Sequence, residues 1–92
     1  MLKFVVEFLG TFLFLSVVVA TTNPVLIALA LLTATVLVSG ISGAHLNPAI
    51  SAMFYAKGSL SNNDLLGYVV AQVAGGLSAL YAYKAFGGKA PM

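Results

Sequence analysis

The stretch SGISGAHLNPAISAMFYAKG, from Ser39 to Gly58, is too apolar for an exposed loop and too broken for a continuous helix. Gly40, Gly43 and Pro48 interrupt it, and a proline inside a helix removes a hydrogen bond and clashes with the turn before it. The second part, Pro48 to Ala56, reads as a short helix. Asn47 is placed to cap it, Pro48 has the backbone of a first helical residue, and Gly58 is placed to end it. At about 1.5 Å per residue this helix is roughly 13 Å long, half of a bilayer's hydrocarbon core. An extended segment followed by a half-length helix describes a re-entrant loop, expected over residues 41–57. Such backbone is tolerated at membrane depth only where protein buries it or where it lines a water-filled path.

The flanking segments have the length and character of membrane spans, which need roughly 20 apolar residues each. Phe4 to Ala20 is interrupted only by Glu7, Gly10, Thr11 and Ser16, and predicts a first span over residues 4–21. Thr21 to Pro24 reads as a turn, because Asn23 precedes a proline and is biased away from the helical conformation. The run from Val25 to Val38 predicts a second span over 24–40. The run from Leu65 to Phe86, opened by Ser61 to Asp64 as cap and acidic first turn and stopped by Gly87 and Gly88, predicts a third over 63–86. The first run also invites comparison with a cleaved signal peptide ending near Ala20. Glu7 within the apolar stretch and a poor small-residue pattern at its end speak against that. The expected fold is therefore an all-α integral membrane protein, multi-pass, a single unit over residues 1–92 with three transmembrane helices and a re-entrant half-helix.

Composition agrees. Only 7% of the residues are charged, against roughly 25% in soluble domains, so the chain lacks the polar surface that water requires. Mean hydropathy is +1.07, in keeping with a lipid environment. There is no Cys and no Arg, and the four Lys (Lys3, Lys57, Lys84, Lys89) are scattered, which leaves no disulfide, thiolate site or nucleic-acid footprint. With no paired acids, no metal-ligand spacing and no nucleophile beside a base, neither an enzyme nor a cofactor is expected.

A half-helix beginning near the midplane turns its free N–H groups and positive dipole end inward. Asn47 can cap that end with its oxygen while its amide NH2 stays free to donate, and Gly43, Ala44 and His45 would expose carbonyl acceptors. Donor and acceptors along one path suit a small polar solute, and the dipole repels cations. Asn-Pro is also an ordinary helix start, and a single His is commonly a hydrogen-bonded packing residue. Glu7 stands apart, since a carboxylate in a spanning helix costs several kcal/mol unless paired. Its simplest role is to accept backbone or His45 donors and brace the loop; a proton relay is the sharper alternative, with no second buried acid in view. Gln72, deep in the third span, is expected to bond to the loop or to Glu7. Gly67, Ala71, Gly75 and Ala79 recur every four residues, the small-xxx-small pattern of close helix packing, and Gly10 is a packing position on the first span.

Three segments resemble the major intrinsic protein family, the aquaporins and glycerol facilitators. Ser42 to Ala49 (SGAHLNPA) is similar to the family's first Asn-Pro-Ala signature. Glu7 to Phe12 (EFLGTF) resembles the opening of its first helix, and Ala71 to Gly76 (AQVAGG) its third. The resemblance implies a passive channel for water or small neutral solutes. It implies that Asn47, with Pro48 and Ala49, donates at the pore centre, that the carbonyls of Gly43, Ala44 and His45 line one half of the pore, and that Glu7 braces the loop. By spacing from His45 the family's second-helix filter residue falls at Ile27, an aliphatic side chain where many water-selective members carry an aromatic one. The family carries two inverted repeats and an Arg after the second signature, whereas this sequence contains one repeat and no Arg. A second half-repeat chain is therefore expected to complete the pore, either an antiparallel copy or a distinct partner. The alternative is a non-conducting membrane protein that keeps the repeat as a packing element in a larger assembly. The lysines favour the antiparallel copy: Lys3 and Lys57 fall on one side, Lys84 and Lys89 on the other, so the positive-inside rule gives almost no preferred orientation.

Overall fold

The computed structural model of the chain describes residues 1–88; Lys89 and the end of the expected 1–92 unit lie outside the described residues. The described residues form four helices: α1 (Leu2–Ala20), α2 (Pro24–Ser42), α3 (Pro48–Ala56) and α4 (Asn62–Ala85). Three of them, α1, α2 and α4, are long and apolar enough to cross a membrane. The protein is an all-helical integral membrane protein with a short helix between its second and third spans.

Local chemistry sets the ends. Asn23 Oδ1 accepts from the N–H groups of Val25 (2.9 Å) and Leu26 (3.3 Å), which starts α2 at Pro24. At the far end α2 runs two residues past the expected boundary. Gly40 is carried inside the helix, and Gly43, left-handed at φ 85°, makes the stop by donating its N–H to Ser39. Ser61 caps α4 by accepting from the N–H of Asp64. Asp64 itself pairs with Lys3 at 2.7 Å. That clasp puts the starts of α1 and α4 at one end of the molecule, so the chain between them crosses twice and the loop returns to its own side.

Helix α1 is central. It packs antiparallel against α2 and parallel against α4, while α3 rests on α4. An apolar cluster of Val6, Ala34, Val38 and Leu46 joins α1, α2 and the loop, with Phe14 and Ala44 against it. Gly10 belongs to this contact: a Cβ there would lie 2.8 Å from Leu46 Cδ2 and 3.4 Å from Val38. The α1–α4 seam is built differently, on Gly67, Ala71, Gly75 and Ala79. A Cβ at Gly67 would meet the Phe4 ring, and one at Gly75 would lie 2.7 Å from the Phe8 carbonyl oxygen. Large apolar side chains such as Leu29, Leu32, Val36 and Leu37 of α2 are exposed, whereas Glu7, Thr11 and Ser51 are the largest side chains fully enclosed. Polar atoms inside and apolar atoms outside is the arrangement lipid demands.

The two glycine environments separate by substitution. Gly75→Ala should cost about 1–3 kcal/mol, because backbone rather than a flexible side chain blocks the new methyl. Gly40→Ala should stabilise by about 0.4–1 kcal/mol, since nothing lies within 4 Å and the unfolded chain loses freedom. Denaturant titration of the purified chain in detergent, followed by helical circular dichroism, measures both.

Candidate functional site

Between α2 and α3 the chain makes a left-handed passage rare for residues with side chains. Gly43 has φ 85°, Ala44 53° and Leu46 58°. Each non-glycine residue in this region costs roughly 1–2 kcal/mol, so surrounding bonds must hold the path. They do so through the N–H groups. Ala44 donates to Ser42 Oγ (3.2 Å), His45 to Glu7 Oε2 (3.0 Å) and Leu46 to Glu7 Oε1 (2.8 Å).

Glu7 collects two further donors, Ser42 Oγ at 2.6 Å and Gln72 Nε2 at 3.0 Å. Each carboxylate oxygen thus accepts two hydrogen bonds, the full capacity of the group. No lone pair remains for a relay partner. Gln72 uses its second amide hydrogen on Ser51 Oγ (2.9 Å), which lies 2.8 Å from His45 Nδ1. Ser51 Oγ thus joins Gln72 to the His45 ring, accepting from the amide and sharing a second hydrogen bond with Nδ1. His45 therefore reaches Glu7 by its backbone and Ser51 by its ring. The ring is held between Tyr68 (centroids 4.5 Å apart) and Phe54 (4.9 Å), both nearly parallel to it. The Tyr68 hydroxyl donates to the Ser42 carbonyl at 2.6 Å.

The carbonyls are treated in the opposite way. Among the described residues no donor reaches the oxygens of Gly43, Ala44 or His45. Asn47 follows with φ −157°, its Oδ1 capping α3 through the N–H of Ala49 at 2.8 Å. That bond engages only the oxygen; Asn47, Pro48 and Ala49 are exposed. Asn47 and Pro48 edge a groove of about 420 Å³ whose walls include Thr11, Phe14, Leu46 and Gln72. The site therefore gathers Glu7, Gln72, the Gly43–His45 segment and Asn47. Ile27, half-buried in the first turn of α2, is not among the residues that line this groove.

Ser42, Ser51 and Tyr68 carry bonds that sequence reasoning did not assign, and Thr11 lines a groove it did not foresee. A signal existed for three of them. Thr11 lies four residues after Glu7, Ser51 four after Asn47 and Tyr68 four before Gln72, the spacing that puts two residues on one helix face.

A family model described as Major intrinsic protein matches residues 1–89. The chain is 37% identical over 95 residues to glycerol uptake facilitator protein-like 6 of Lactiplantibacillus plantarum, covering 94% of this chain and 44% of that protein. It is 37% identical over 98 residues to the propanediol uptake facilitator PduF of Citrobacter freundii, covering 90% of this chain and 36% of that one. Aquaglyceroporin AqpS of Rhizobium meliloti matches at 50% over 38 residues, 41% of this chain and 16% of that protein. The chain spans less than half the length of each relative. No solved structure matches it.

Glu7 is the position at which substitutions discriminate best. Glu7→Gln keeps one acceptor oxygen but turns an NH2 toward donors, and should cost about 1–3 kcal/mol. Glu7→Leu leaves all four donors buried without an acceptor, each worth about 1–3 kcal/mol, and should prevent stable folding of the loop. Amide hydrogen exchange at His45 and Leu46 reads the difference directly.

Proposed function

The chain belongs to the major intrinsic protein family, and from that premise we propose that it forms one half of a passive channel for water or small neutral solutes, completed by a second half-repeat. The observation that carries this reading is the one-sided polarity of the loop. Its N–H groups are turned inward onto Glu7 and Ser42, while the carbonyl oxygens of Gly43, Ala44 and His45 are left without donors. A solute that hydrogen-bonds can be passed along those acceptors to the Asn47 amide NH2, which is the donor. The N-terminus of α3 adds a positive dipole end at the same point, which disfavours cations. A fully engaged Glu7 carboxylate is a brace in this scheme, with Gln72 as its second support, and carries no proton through the membrane.

The names of the relatives, facilitators of glycerol and propanediol uptake among them, suit a small neutral solute. Ile27 is proposed as an aliphatic wall of the filter, consistent with a solute that carries carbon as well as hydroxyl. For the second half we propose an antiparallel copy of the same chain. The lysine balance supports it, as does the Lys3–Asp64 clasp, which keeps Lys3 and Lys57 at one end. Two half-helices then meet at the midplane as in inverted-repeat folds.

Proteoliposomes of the purified chain, followed by light scattering after an osmotic step, test the channel. Swelling should exceed that of empty vesicles and fall at least several-fold in Asn47→Ala, a cap substitution worth about 0.5–2 kcal/mol that leaves the spans in place. Equal swelling with and without verified protein would overturn the channel and favour the non-conducting packing element. Orientation is read separately, and the absence of Cys makes it clean. Single cysteines at Ser59, beside the start of α4, and at Thr22, in the turn after α1, should each label partly from outside in intact cells. Labelling of only one of them excludes the antiparallel copy and assigns the second half to another source.

A further inference from the structure

The peptide groups that carry the chain from Ser42 to Leu46 are held in two different ways. From Gly43–Ala44 onward each is held by its N–H alone: Ala44 donates to Ser42 Oγ, and His45 and Leu46 donate to Glu7. The first peptide, Ser42–Gly43, is held at both of its polar atoms. Its N–H donates to the Ser39 carbonyl at 3.1 Å, and its carbonyl accepts from the Tyr68 hydroxyl at 2.6 Å. Glu7 bonds the Ser42 side chain but neither atom of this peptide. A peptide group turns over by changing only the dihedral angles on either side of it, here ψ of Ser42 and φ of Gly43. Glycine adopts both signs of φ about equally readily, so Gly43, at φ 85°, is a joint where the chain can flip at little intrinsic cost. A flip exchanges the directions of C=O and N–H at the head of the acceptor series.

Tyr68 is placed to prevent that flip. Its side chain is buried, at 4% exposure, and its ring is fixed from two directions: it lies nearly parallel on His45, centroids 4.5 Å apart, and meets the Phe4 ring at 89°. A ring so packed cannot follow a departing carbonyl, so the hydroxyl has one position to offer. The same side chain therefore grips the passage at both ends, by the Ser42 carbonyl before the acceptors and by the His45 ring after them. We propose that Tyr68 is a positioning residue whose hydroxyl locks the Ser42–Gly43 peptide against flipping, and so fixes the heading from which the Gly43, Ala44 and His45 carbonyls are presented to solute. Presentation to solute rests on the channel reading; the lock does not. Glu7 and Tyr68 then divide the work, one holding the N–H groups of the passage and the other the carbonyl at its head.

The sequence supplies its own control. Labelling serine at the carbonyl carbon and glycine at the nitrogen selects only the peptides Ser39–Gly40, inside α2, and Ser42–Gly43. Tyr68→Phe keeps the ring and removes the hydroxyl. In the folded full chain in detergent, amide hydrogen exchange at Gly43 should accelerate several-fold relative to Gly40, although Tyr68 touches neither N–H. If the hydroxyl serves only the packing of α4, the two glycines accelerate together or not at all, and the lock fails. Should Tyr68→Phe not fold, wild-type chain grown on meta-fluorotyrosine keeps every ring and makes the hydroxyl a stronger donor. Gly43 should then exchange several-fold more slowly with Gly40 unchanged, and no slowing overturns the lock. In proteoliposomes, folded Tyr68→Phe should swell several-fold less than wild type, and equal swelling overturns its part in passage. Wild type that does not swell removes the channel, and the exchange result still decides the lock.

Discussion

A carboxylate inside a bilayer is the constraint around which this molecule is arranged. Glu7 is fully buried in α1, at a depth where an unpaired charge costs several kcal/mol. The fold answers with four hydrogen bonds, two to each oxygen, and draws them from α2, from the loop backbone and from α4. No single neighbouring element has enough donors. The demand of one side chain therefore brings together parts of the chain that lipid alone would leave unordered, because lipid tails are as apolar as the helices they surround. It also stabilises a backbone path that Ala44 and Leu46 would otherwise avoid.

The small residues of α4 serve the same end. The 3.0 Å hydrogen bond from Gln72 to Glu7 requires α1 and α4 to approach closely, and Gly67 and Gly75 remove the side chains that would keep them apart. Packing and polarity are usually argued separately in membrane helices. Here the close approach permits the polar contact, and the polar contact gives the approach a direction, parallel and in one register. The Lys3–Asp64 clasp secures the same register at the membrane surface.

Much of the fold was legible in the sequence because membranes simplify the reading. Long apolar runs with few polar interruptions mark spans, and Asn47-Pro48 followed by Gly58 marks a half-helix by caps alone. Glu7 and Gln72 were conspicuous for their surroundings, as polar residues in apolar segments always are. Ser42, Ser51 and Tyr68 were less conspicuous, and the four-residue spacings of Ser51 and Tyr68 acquire their meaning only when the four elements are assembled. The left-handed Ala44 and Leu46 were also out of reach. Nothing in either residue favours that conformation; it is imposed by where Glu7 stands in space. Gly40 misled in the opposite sense, since it reads as a breaker but lies within α2, and the true stop is Gly43.

The separations along the chain between Glu7 and its donors dictate an order of assembly. Ser42 follows Glu7 by 35 residues and Gln72 by 65, so during synthesis α1 and α2 exist before any of the four donors beyond Ser42 has emerged. The α1–α2 hairpin must therefore wait with its carboxylate short of partners. The N–H groups of His45 and Leu46 come next and join Ser42, and together they can fold the loop onto Glu7 while α4 is still being made. Only the arrival of α4 adds Gln72 and closes the shell. The interval between the second and third spans is then the chain's period of greatest vulnerability to mispairing and to quality control. The donors nearest in sequence, those of the strained loop, are the ones that shorten it.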